Sequence, residues 1–163
     1  MAAFQKAGAV GEEHKKLEAF TGSFNAKIKM WADSKAQPEE STGSAEAKMV
    51  LGGRYLEHRF QGTLAGQAFS GVAYTGYDNA KKVYVGVWMD DLSTDLHYTN
   101  GKWDATGTVL QSAGKVEDPI TGKPKSVRTQ ARKMEGGQHI WEMWEPDAAG
   151  TYFKSMEVTY SRK

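Results

Sequence analysis

From Gly22 onward the chain reads as about ten short β-prone runs, cut at steady intervals by Gly, Asn, Asp and Pro. That rhythm constrains the fold more than any single motif. Short turns between successive runs make neighbouring strands antiparallel, and one layer of so many strands must close on itself to hide its edges and its apolar face. The expected fold is therefore all-β, a single antiparallel meander barrel of about ten strands with one short N-terminal helix. A length of 163 residues suits one such domain. We read residues 1–11 as a flexible N-terminal segment and 12–163 as the barrel.

Composition narrows what such a barrel can do. With 39% hydrophobic and 11% aromatic residues the chain has material for a packed interior, so disorder is excluded. A formal net charge of +1 lacks the clustered cations that nucleic-acid binding needs. The absence of Cys removes disulfides, thiolate catalysis and Cys-ligated metal, and makes a reducing cytoplasm the expected location. Met1 to Gly11 has no apolar signal core, and no run is long enough to span a membrane.

Residues Glu12 to Phe20 carry a helical stripe of His14, Leu17 and Phe20, stopped by Thr21-Gly22. Period-two alternation follows. Phe24, Ala26, Ile28 and Met30 share one face of the first run, Ala45, Ala47, Met49 and Leu51 one face of the second, and Leu56, His58 and Phe60 one face of the third. Tyr84, Gly86 and Trp88 share a face further on. Asn100-Gly101 resembles a hairpin turn, but turning there leaves only a stub as the return arm, so the turn is expected at Asp104 to Gly107. Later runs are bounded by Asp118-Pro119, Gly136-Gly137 and Pro146 to Gly150.

Phe20-Thr21-Gly22-Ser23-Phe24, Leu51-Gly52-Gly53-Arg54-Tyr55-Leu56, Gly76-Tyr77-Asp78-Asn79, Trp88-Met89-Asp90, Glu117-Asp118-Pro119 and the closing Met156 to Arg162 together resemble a bacterial domain-of-unknown-function family. That resemblance implies a lipocalin-like barrel of the calycin group and carries no activity. In lipocalins a Gly-x-Trp in the first strand plugs the barrel floor under a late Arg; Gly22-Ser23-Phe24 and Arg162 are similar, with Phe in place of Trp. Nitrobindin-like barrels ligate haem through a His near the C-terminus, whereas the last His here is His139. Fatty-acid-binding proteins use Arg-x-Tyr in the last strand, and here the order is reversed as Tyr160-Ser161-Arg162.

His58 is the leading polar candidate, because alternation sets it beside Leu56 and Phe60, facing inward. An imidazole there can bond a ligand, act as a base, ligate a metal, or simply be a core His bonded to a neighbour. Phe60, Tyr84, Trp88, Trp141 and Met156 are the expected apolar lining, since Trp and Tyr exceed what plugging a floor requires. The surplus could equally form core or an outward patch buried in a homodimer. Arg128 either lines the pocket and pairs an anionic head group or sits on a solvated outer face, and Glu142 is a candidate carboxylate partner or base. Asp90, Asp91, Asp95 and His97 fall across a turn, where carboxylates bond their own backbone, so no metal is expected. No cofactor fingerprint and no nucleophile elbow is present. The expected partner is a small apolar or aromatic molecule, with no nucleic acid and no membrane. A metal-independent isomerase or hydrolase using His58 or Glu142 as base, and a filled barrel serving as an oligomeric scaffold, are the alternatives.

Overall fold

The alternation of apolar and polar residues builds a closed ring of ten antiparallel strands. The computed structural model describes residues 1–64, 66–118 and 121–163, so Pro119 of the expected turn lies outside the described residues. The strands are β1 (Gly22–Met30), β2 (Glu39–Val50), β3 (Tyr55–Leu64), β4 (Gln67–Asp78) and β5 (Val83–Asp90). They continue as β6 (His97–Trp103), β7 (Val109–Glu117), β8 (Pro124–Lys133), β9 (His139–Pro146) and β10 (Tyr152–Arg162). Each pairs with its neighbours in sequence, and β1 closes the ring on β10, with Phe24 opposite Arg162 and Met30 opposite Met156. This is the meander barrel that the sequence predicts. Asn100-Gly101 lies inside β6, and the chain turns where Gly107, at φ 67°, donates to the Asp104 carbonyl at 3.0 Å. The Asp104 carboxylate also accepts from the Thr108 and Val109 amides at 3.1 Å each, which stops the strand there.

Ahead of the barrel lie α1 (Ala2–Ala7), α2 (Glu12–Lys15) and a 3-10 turn (Lys16–Phe20). Residues 1–11 thus contain a short exposed helix, while the stretch expected as one helix is α2 continued by the 3-10 turn. Leu17 and Phe20 from that turn are buried, the first completely, and cluster with Phe24, Leu56, Tyr84, Leu110 and Tyr160. They plug one end of the barrel. The plug is tied down by Tyr84, whose hydroxyl meets both the carbonyl and the carboxylate of Glu13 at 2.7 Å. Phe20 stacks on Trp103 with ring centroids 5.9 Å apart, and the Arg162 guanidinium covers the Phe24 ring at 5.4 Å. Further out, Arg54 Nε donates to the Gly8 carbonyl at 3.0 Å. Asn79 Nδ2 donates to the carbonyls of Ala7 and Ala9 at 2.9 and 2.8 Å.

Candidate functional site

Register determines which side chains share the interior, because antiparallel partners point to the same side of a sheet. Buried Phe60 lies opposite Gly71, His58 opposite Ala47 and Ala73, and Leu56 opposite Thr75. Ala73 in turn faces Trp88, and Thr75 faces Gly86. On the far wall Trp141 lies opposite Val158 and Ala131, and Met143 opposite Met156 and Thr129. Two walls of different chemistry result. Phe60, Phe69 and Trp88 form an aromatic wall with centroid spacings of 5.7 and 6.1 Å, and Met30, Met143 and Met156 line up across β1, β9 and β10. Small residues such as Gly71, Ala73, Gly86 and Ala131 hold the space between them, and Thr99, Ser112 and Thr129 add hydroxyls.

At the closed end the interior becomes polar without being paired. Three buried side-chain nitrogens have no hydrogen-bond partner among the described residues: His58 Nε2, His139 Nδ1 and Trp103 Nε1. His58 and His139 both pack on the phenol of Tyr160, the first edge-on at 5.2 Å and the second stacked at 4.4 Å. Burial pushes the His58 imidazole down to about 4. Burial first, then the nearby His58 and the Arg162 charge, push His139 down to about 3. Both rings are therefore neutral near pH 7. Burial likewise raises the Tyr160 hydroxyl, leaving an un-ionised phenol between them.

Six of the eight expected site residues meet here: His58, Phe60, Tyr84, Trp88, Trp141 and Met156 all face the interior. Tyr84, however, belongs to the plug through its bond to Glu13 and lines the floor. Arg128 and Glu142 require correction. Arg128 alternates with the inward Val127 and Thr129, so it points outward, exposed, with its guanidinium 3.9 Å from the Tyr152 ring centroid. Glu142 alternates with Trp141 and Met143 and pairs on the outer wall with Lys154 at 3.1 Å, beside Glu157. The residues that sequence reasoning missed are His139 and Tyr160, whose signal was available: His139, Trp141 and Met143 share one face by alternation. Among the described residues no group of three or more His, Asp or Glu is placed to hold a metal, and Asp91 is taken up by Ser70. A solvent-open depression of about 520 Å³ also lies on the outer wall of β2 to β5. Within it Arg59 is paired with Glu57 and Ser70 with Asp91.

A closed ten-stranded barrel with an aromatic and methionine-lined interior and a neutral histidine pair at its plugged end defines the class of molecule. Residues 9–162 match the family described as "Protein of unknown function (DUF1579)", and the chain belongs to that family. Among solved structures it is similar to Rv2717c from M. tuberculosis, with a TM-score of 0.67 over 95% of this chain and 99% of that one. At 13% identity that likeness speaks for the fold alone. No curated protein matches the sequence. No helix among the described residues is long and apolar enough to cross a membrane.

Proposed function

We propose that the barrel is a container for a small, largely apolar or aromatic molecule, held in a lipocalin-like manner in its interior. One observation carries this reading. Trp141, Met143, Met156, Thr129, Ser112 and Thr99 face inward at the middle of their strands, yet each is only half-buried. A barrel filled by its own side chains would enclose them fully. The aromatic wall offers stacking, the methionine wall an adaptable apolar surface, and His58 a polar anchor. Catalysis by the same cavity has less support, since His58 Nε2 has no hydrogen-bond partner among the described residues to orient it and Glu142 is on the outside. The absence of Cys suits a cytoplasmic container.

Native mass spectrometry of freshly purified protein tests the reading. The expected result is a retained small-molecule adduct, or uptake of an added apolar probe that Ala131→Phe abolishes by filling the lumen. Absence of both adduct and uptake would overturn it.

A further inference from the structure

Resting on that reading of the lumen, we propose that its ligand carries an uncharged hydroxyl or carbonyl group, which is held at the plugged end by His58 and His139. The apolar body of the ligand then extends toward Trp141, Met143 and Met156. The argument begins with the two orphaned nitrogens, His58 Nε2 and His139 Nδ1. Buried polar atoms are nearly always matched, and leaving one unmatched costs about 1–3 kcal/mol. Two such atoms against the same phenol mark a place where a partner from outside the chain belongs.

The chemistry of that partner follows from its neighbours. Each neutral imidazole offers one donor and one acceptor, so a single hydroxyl can donate to one ring and accept from the other. The cation whose charge reaches His139, Arg162, has its guanidinium over the Phe24 ring at 5.4 Å. Two inward cations have contacts of their own: Lys133 lies on the Trp103 ring at 4.5 Å, and Lys125 pairs with Glu145 at 2.9 Å near the opposite end. A buried carboxylate among two neutral imidazoles and a phenol would be an unpaired charge. Burial, the leading cause of the depressed titration in both rings, points the same way.

The test titrates the full-length protein with naphthalene, 2-naphthol and 2-naphthoate, reading tryptophan fluorescence and the imidazole ¹⁵N resonances of His58 and His139. We expect 2-naphthol to bind at least about tenfold more tightly than naphthalene, because it alone matches the buried nitrogens. 2-Naphthoate is expected to bind more weakly than 2-naphthol, and both ¹⁵N signals should move with 2-naphthol and not with naphthalene. His58→Phe should bring the naphthol-to-naphthalene ratio close to one, and the ¹⁵N readout needs no variant. Equal affinity for naphthalene and 2-naphthol with unmoved imidazoles would overturn the proposal and leave the container reading standing, with water as the natural partner of the two nitrogens. Preference for 2-naphthoate would also overturn it. Failure of all three probes to bind would overturn the container reading and this inference with it.

Discussion

The imidazole of His139 lies against the phenol of Tyr160, with ring centroids 4.4 Å apart and planes 18° from parallel. The two are register partners on β9 and β10, and His58 meets the same phenol edge-on from the opposite side of the sequence. Aromatic contact, rather than hydrogen bonding, therefore fixes the position of both histidines. This leaves His58 Nε2 and His139 Nδ1 buried without a hydrogen-bond partner among the described residues.

Stability should fall on mild acidification because of these rings. Their folded-state values, about 4 for His58 and about 3 for His139, lie below the ordinary 6.5. Between those values and 6.5 the unfolded chain takes up protons that the folded chain refuses, so acid favours unfolding in that window. The slope is at most about 1.4 kcal/mol per pH unit for each ring. Urea denaturation midpoints measured from pH 7.5 down to 4.5 should decline, and less steeply in His58→Phe; identical slopes would refute the assignment.

The plug is expected to be worth more than its length suggests. Leu17 is wholly buried between the 3-10 turn and the barrel floor. Leu17→Ala should cost about 2–5 kcal/mol, the range for a large-to-small change in a close-packed site. Calorimetry would detect this as a melting temperature lowered by several degrees, and an unchanged melt would show that the barrel does not depend on its plug.

Asn79→Ala should loosen the chain's beginning without weakening the barrel. Its amide holds the carbonyls of Ala7 and Ala9, while Arg54 holds that of Gly8. These contacts are exposed, so the global loss should stay within about 1 kcal/mol. Trypsin cleavage after Lys6 should nonetheless accelerate, and mass spectrometry of the digest would follow it. Equal cleavage in both proteins would mean that the two bonds do not hold the segment.

Much of this architecture was legible from alternation alone. Phe24, Ala26 and Ile28 on one face, and His58 between Leu56 and Phe60, could be read directly because a strand's period is two. The same rule contained its own warning about Glu142: adjacent residues cannot both face inward, and Trp141 already did. Less accessible was the irregularity between Lys154 and Met156, which shifts the phase of β10 so that Tyr152 and Lys154 lie outside while Met156 and Val158 lie inside. Nor does spacing alone reveal that His58 and His139, far apart in sequence, converge on Tyr160. That meeting depends on ring closure, a property of the whole barrel.

Closure itself places a demand on how the protein is made. β1 finds its second partner only in β10, more than a hundred residues later. Until that strand emerges, β1 presents an unpaired edge and the floor lacks Tyr160 and Arg162. Assembly of the barrel is thus a race between the last hairpin and adventitious strand pairing, and any factor that shields nascent sheet edges would act on β1 first.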